Sequence, residues 1–233
     1  MISRLKAIGY DGVELYNIDD STQFEQIVAL LGKYDLEIVS AHCDYQLLAS
    51  DYEVQLDKYD GLGIKNIVIP IVGQITQSQE RCNEVITNIK AIKEVAKTRG
   101  INIFYHNHDL ECVKIDDKLV IDYIGEAGIK LEYDVHWLIR GGLDPYRIIA
   151  TKYPAPLIHV KDIILEKIEG DYRLIDCAVG YGNLDLKRLV NICKEREVKW
   201  LIVEQEYNQP TIEKRIVDCE VGYQSLVRSQ DEN

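Results

Sequence analysis

Residues 129–137 read IKLEYDVHW. Leu131, Tyr133 and Val135 alternate with Glu132, Asp134 and His136, which is the period of a β-strand. One face of this segment is apolar and the other is wholly ionisable. Buried charges cost many kcal/mol unless something pairs them, so the environment of the second face decides what the strand belongs to.

Reading outward, the neighbours repeat one theme. Upstream, INIFYH at 101–106 is a strand, and a helix is expected at about 117–127. Downstream, LDPYRIIATKYP is a helix with Pro145 at its start, followed by the strand PLIHVKD at 156–162 and an irregular excursion to about 182. The same alternation runs to both ends. DGVELYN holds a strand at about 11–16. STQFEQIVALLGKYD is a helix with Ser21 as N-cap. EIVSAH at 37–42 is a strand, with a helix around 50–62 after it. KNIVIP at 65–70 is closed by Pro70. QSQERCNEVITNIKAIKEVAKTRG is an amphipathic helix stopped at Gly100. NLDLKRLVNICKERE is a helix, KWLIVEQE at 199–206 the last strand, and 210–228 the last helix. Strand–helix repetition means a parallel sheet. Seven such units, with chemistry at the strand ends, predict a single (β/α) TIM-type barrel over 1–228 and a frayed polar tail at 229–233. The rival is an open doubly wound sheet, which usually carries a glycine-rich first turn; GYDGVE is not one.

The chain has five histidines: His42, His106, His108, His136 and His159. Each stands at or just beyond the carboxyl end of an expected strand, and none on an expected helix. In a barrel, that end is where active sites are built. Glu14, Asp134 and Glu204 share the habit. Alternation turns Glu132, Asp134 and His136 toward the axis, with His159, Lys161, Ile202 and Glu204. A lone inward Glu can simply pair with Lys161, but Asp134, His159 and Glu204 end three successive strands. That coincidence points to a divalent metal. Oxygen ligands with one or two imidazoles suit Mn²⁺ first, with Mg²⁺, Co²⁺, Fe²⁺ or Zn²⁺ as alternatives.

The remaining bounds agree. The formal net charge is −12, with 39 acidic residues against 27 Lys and Arg, which disfavours a nucleic-acid partner. The six cysteines form no C-x-x-C pair, as expected of free thiols in a reducing cytoplasm. No segment resembles a signal peptide or a membrane span. Further copies of the chain are left open as partners.

Taken together, GYDGVELYN, VSAH, YHNHDLE, LEYDVHWLIRGGLDP, IHVKD, VGYGNLD and WLIVEQE resemble the sugar phosphate isomerase/epimerase group of xylose-isomerase-like TIM barrels. The resemblance implies metal ligands at Asp134, His159 and Glu204. The group's remaining ligand is a Glu where this chain has His106, so that ligand is His106 or Glu111 from the loop, with Glu111 preferred. The resemblance also implies His108 as an acid/base residue, Trp137 as a wall of the sugar site, and Lys161 as the Lys of an H-x-K-D segment. Glu14, His42 and His106 are expected to bind substrate hydroxyls, and His136 to hydrogen-bond beside the site.

Two features depart from the group. Tyr181 replaces the acid of its GEG segment, and the group's first strand is absent, so the seven strands correspond to its second to eighth. A barrel lacking one strand has two open edges. The chemistry implied is loss of a proton beside a carbonyl to give an enediolate, with Glu204 or His108 as base. Its fates are epimerisation, isomerisation, or expulsion of a β-substituent from a keto-inositol or 3-keto-glycoside. A catalytically silent barrel is the reading from another class, and a DNA-repair nuclease fits the charge poorly.

Overall fold

The computed structural model describes residues 1–16, 21–205 and 211–231. Seven strands form one sheet: β1 Gly12–Leu15, β2 Glu37–His42, β3 Asn66–Ile69, β4 Asn102–His106, β5 Lys130–Asp134, β6 Leu157–Val160 and β7 Trp200–Val203. They lie in chain order, every neighbouring pair is parallel, and helices surround them in a nearly closed barrel. A doubly wound sheet reverses its strand order part way. This one never does, so the open-sheet alternative falls.

Parallel strands covered on both sides must be apolar on both sides. Ile103, Tyr105, Leu131, Tyr133, Ile158 and Val160 pack outward against the helices. Val39, Val68, Phe104 and Leu157 fill the axis with Trp200 and Ile202. The ionisable residues occupy the layer above that plug. A bulge in β2 makes this possible: Val13 pairs with Ile38, but Glu14 pairs with Ser40, so Val39 is passed over. Strict alternation would put Ile38, Ser40 and His42 on one face. With the extra residue, Ile38 packs outside, while Ser40 donates to Glu14 Oε2 at 2.5 Å. Bulges re-aim side chains in this way.

Local chemistry sets the helix ends. Ser78, Asp44, Asp144 and Asp185 each accept backbone N–H bonds at an N-cap, and Gly100 ends the helix Gln79–Thr98 at φ 68°, a conformation that suits glycine. The helix expected around 50–62 is two short helices, Tyr45–Ser50 and Tyr52–Gly61, with Asp51 capping the second. The expected excursion to 182 contains an antiparallel hairpin, Asp162–Ile168 with Asp171–Cys177. Behind it, the Asp162 carboxylate accepts from the backbone N–H groups of Ile163, Gly180, Gly182 and Leu184 at 2.9–3.1 Å. A Cβ on Gly182 would lie 2.1 Å from Asp162 Oδ1, so the close approach requires glycine there.

The last helix, Ile212–Asp231, runs three residues past Arg228. The helix expected from Ser21 spans Ser21–Lys33; the cap proposed for the Ser21 side chain, with Asn17, Glu206, Pro210 and residues 232–233, lies outside the described residues.

β1 and β7 end the sheet without pairing to each other. All four residues of each are half-buried, whereas β6 is buried throughout. Between them lies a cavity of about 860 Å³ that opens onto Glu14, His42, His159 and Glu204. The seam is covered from outside. Arg4 pairs with Glu213 at 2.5 Å, the Tyr10 hydroxyl donates to the Cys219 carbonyl at 2.9 Å, and the Tyr10 and Tyr223 rings lie 5.3 Å apart.

Unpaired edge amides lose the protection of a ladder. Native-state hydrogen exchange is therefore expected to show the gap-facing amides of Gly12–Leu15 and Trp200–Val203 at least tenfold less protected (about 1.4 kcal/mol) than those of β3 and β4. Equal protection across the seven strands would mean the seam is closed in solution.

Candidate active site

Each barrel strand but one delivers an ionisable group to the same end of the axis. β1 brings Glu14, β2 His42, β4 His106, β5 Glu132 and Asp134, β6 His159, and the residue after β7 is Glu204. His106, Glu132, Asp134 and His159 are all at most 2% exposed.

Two groups share His159. In the first, Glu132 Oε2 lies 3.3 Å from His42 Nε2, 3.0 Å from His106 Nδ1 and 3.2 Å from His159 Nε2. In the second, His159 Nδ1 lies 2.5 Å from Glu204 Oε2 and 3.9 Å from Asp134 Oδ2. Glu14 Oε1 stands 2.9 Å from His42 Nε2 and 2.7 Å from His159 Nε2. Lys161 Nζ stands 3.1 Å from both Asp134 Oδ2 and Glu204 Oε2.

Burial and charge pull the titrations apart. Burial raises the Asp134 carboxyl to about 6, against the opposing charges of Lys161 and His159. Burial likewise lifts Glu132 to about 7. For Glu204 burial is outweighed by the hydrogen bond and charge of His159 and by Lys161, which bring it down to about 2. Burial opposes a charged His42, but its bonds to Glu132 and Glu14 raise it to about 9, and His159 is raised in the same way. Burial lowers His108 to about 4 and pushes His106 well down. The neighbouring carboxylates thus favour the charged forms of His42 and His159, beside the cation of Lys161.

A divalent ion fits this donor set. Glu132 Oε1 is buried with no hydrogen-bond partner among the described residues, whereas Asp134 Oδ2 meets Lys161 Nζ at 3.1 Å. A buried acceptor left as Glu132 Oε1 is costs about 1–3 kcal/mol, and a cation would satisfy it. The groups His42–His106–Glu132–His159 and Asp134–His159–Glu204 each bring their ligand atoms within 4.8 Å of one another.

The residues expected from sequence separate into those that meet and those that do not. Glu14, His42, His106, Asp134, His159, Lys161 and Glu204 converge. Glu111 stands outside both groups: it is buried, accepts from the Tyr105 hydroxyl at 2.7 Å, and accepts from the His108 backbone N–H at 2.7 Å. His108 borders the cavity, its ring 4.9 Å from those of His106 and Trp137. Trp137 packs between His108 and His136, with Lys161 Nζ 5.5 Å from its ring.

His136 departs from expectation. It sits on the helix Val135–Arg140, which Asp134 caps by accepting from the Trp137 N–H at 3.0 Å. Strand alternation stops at Asp134, and helical rotation of about 100° per residue turns His136 to the hairpin. There its Nε2 accepts from Arg140 Nε at 2.8 Å, and its Nδ1 lies 3.4 Å from Asp176. Glu132, Ser40 and Asp162 had no expected role. The inward phase of Glu132 was the available signal for the first, and the pair Gly180 and Gly182 beside an H-x-K-D segment for the last.

A structure from Parabacteroides distasonis ATCC 8503, described as a sugar phosphate isomerase/epimerase, is similar at 18% identity and TM-score 0.78, over 98% of this chain and 87% of that one. A xylose isomerase-like TIM barrel protein from Mycobacterium smegmatis in complex with magnesium is similar at 12% identity and TM-score 0.71, over 98% and 86%. The 3-keto-D-glucoside 4-epimerase of E. coli, in its apo form, is similar at 14% identity and TM-score 0.68, over 98% and 92%. No curated protein matches the chain. The family model described as xylose isomerase-like TIM barrel matches residues 2–218, and with seven parallel strands in sequential order the chain belongs to that family.

Proposed function

We propose that this protein is a divalent-metal-dependent isomerase or epimerase that acts on a sugar or keto-sugar through an enediolate. The observation that carries the reading is the meeting of Asp134, His159 and Glu204, from the ends of three successive strands, beside a cavity of about 860 Å³. The similar proteins named as a sugar phosphate isomerase/epimerase and a 3-keto-D-glucoside 4-epimerase support it.

Asp134, His159 and Glu204 would hold the ion, with Mn²⁺ proposed and magnesium in one similar protein as support for a hard cation. Bound there, the metal supplies a Lewis acid that makes the carbon beside a substrate carbonyl more acidic. Lys161 keeps Glu204 ionised and holds its Oε2 in place. Glu204 takes the proton. His108, neutral at working pH, has a buried Nδ1 with no hydrogen-bond partner among the described residues and is the candidate to exchange a proton across the cavity. Glu14 and His42 border the same cavity and bind hydroxyls, and Trp137 offers an apolar face to the sugar ring. His106 replaces Glu111 as the neighbouring ligand candidate, because both Glu111 oxygens are engaged by Tyr105 and the His108 backbone.

The substrate is a small carbohydrate rather than a nucleic acid, in keeping with a net charge of −12. No helix among the described residues is long and apolar enough to cross a membrane. Six free cysteines support a reducing, cytoplasmic setting.

Glu204→Gln is expected to lower turnover by about 10³-fold or more, within the range of a lost general base, with an unchanged circular dichroism spectrum. His108→Gln should retain exchange of the substrate's α-proton with solvent deuterium if Glu204 is the sole base; loss of exchange only in His108→Gln would transfer the role. Wild-type turnover in Glu204→Gln would overturn the assignment. In thermal melts, Mn²⁺ at 100 times its dissociation constant should add about 2.7 kcal/mol of stability over EDTA, and a melt indifferent to metal would favour a silent barrel.

A further inference from the structure

The geometry points to a second, nitrogen-rich metal site made by His42, His106, Glu132 and His159, which takes Zn²⁺ or Co²⁺ in preference to Mn²⁺ or Mg²⁺. It goes beyond the carboxylate-rich group of Asp134, His159 and Glu204, shares His159 with it, and claims His106 as well.

Spacing is the first argument. Glu132 Oε2 stands 3.0–3.3 Å from one nitrogen of each of three imidazoles, His42 Nε2, His106 Nδ1 and His159 Nε2. Ligands held at roughly 2.0–2.1 Å around a tetrahedral ion lie about 3.3–3.4 Å apart. These three oxygen–nitrogen distances are within a few tenths of an ångström of such edges, and the four residues bring one ligand atom each within 4.8 Å of the others.

The second argument is an orphaned atom. Glu132 is fully buried, and its Oε1 has no hydrogen-bond partner among the described residues. Its other oxygen, Oε2, meets the imidazoles of His42, His106 and His159.

The third argument is the surroundings of the ligands. Metal-bound imidazoles present their other nitrogen to a carboxylate, which fixes the ring and raises its basicity. His159 Nδ1 faces Glu204 at 2.5 Å, and His106 Nε2 faces Asp134 at 3.7 Å. Glu14 Oε1 lies 2.9 Å from His42 Nε2 and 2.7 Å from His159 Nε2, on the coordinating side of both rings. Three imidazoles and one carboxylate form a borderline-soft set that favours Zn²⁺ and Co²⁺, whereas carboxylate-rich sites favour Mn²⁺ and Mg²⁺.

The two groups use opposite nitrogens of His159: Nε2 faces Glu132, and Nδ1 faces Glu204 and Asp134. A neutral imidazole offers one lone pair, so a single His159 serves one ion at a time. The hardness of the ion then selects which half of the site is filled, and a softer ion in the nitrogen-rich half leaves the carboxylate-rich half without its histidine.

The test is a set of metal titrations on the full chain, with Co²⁺ followed by visible absorption and Mn²⁺ by electron paramagnetic resonance. Wild type should bind one Co²⁺ with the intense absorption of a four-coordinate ion. Glu132→Gln and His42→Gln should each weaken Co²⁺ binding by at least 30-fold and change Mn²⁺ binding less than threefold, and Asp134→Asn should do the reverse. His42, at the edge of the cluster with its side chain 16% exposed, gives a variant that keeps the test open if Glu132→Gln fails to fold. Parallel loss of both ions in all variants would mean one site and overturn the inference. So would Co²⁺ binding unchanged in both Glu132→Gln and His42→Gln. Absence of Mn²⁺ binding with the Co²⁺ pattern intact would instead remove the carboxylate-rich reading and leave this one standing.

Discussion

The carboxyl end of this barrel is organised by the position of His159 between carboxylates. Glu14 and Glu132 approach one ring nitrogen, Glu204 and Asp134 the other. Below lies the apolar plug of Val39, Val68, Phe104 and Leu157, which cannot solvate a charge. Four acids in such a place are stable only if cations meet them. Lys161 supplies one for Asp134 and Glu204. The rest falls to protons on His42 and His159, whose titration is raised for that reason. The protein therefore holds its site together with the same groups that a metal ion would have to displace or deprotonate.

The open seam gives this network a second consequence. Glu14 belongs to β1 and Glu204 follows β7, the two strands that end the sheet. No ladder joins these strands. Inside the barrel, the chain of contacts Glu14–His159–Glu204 spans the interval between them; outside, it is spanned by Arg4 with Glu213 and by Tyr10 with Cys219 and Tyr223. Barrel closure and site assembly are thus coupled, since the imidazole that orients the acids also ties the two edges. In a closed barrel a backbone ladder would carry that load, and the site residues would be free of it.

Much of this was legible in the sequence, for identifiable reasons. Parallel strands followed by helices leave a regular trace, and the seven strands stand where their apolar runs stand. Period-two alternation in LEYD put Glu132 and Asp134 on the axis correctly, because that segment is an unbroken strand. It failed at His136, where Asp134 begins a helix one residue earlier than the pattern ends. It would also have put Ile38 with His42, had the bulge at Val39 not reset the phase; nothing in EIVSAH announces a bulge. The engagement of Glu111 by Tyr105 was hidden for a different reason. It depends on how the loop after β4 folds back on an outward-facing side chain, which is a tertiary fact. Asp162 was hidden likewise, since three of its four backbone donors come from a turn about twenty residues away.

The exchange of acid and imidazole between neighbouring strands explains why resemblance carries the architecture further than the ligands. Where the resembling group has a Glu at the end of this chain's fourth strand, the chain has His106. Its register partner on β5 is Glu132, whose carboxylate meets His106 Nδ1 at 3.0 Å. A negative charge is therefore retained within one ladder step, and the electrostatic requirement of the barrel end is still met. What changes is the kind of atom offered, since an imidazole now stands where an oxygen ligand stood. A field set by net charge tolerates such exchange, because Coulomb energies change slowly over a few ångströms at a given dielectric. Coordination does not tolerate it, because bond lengths near 2 Å and donor softness are both specific to the ion. Similar structures at 12–18% identity share one fold with this chain, and the donor set of its barrel end has to be read from its own six imidazole–carboxylate contacts at Glu132 and His159.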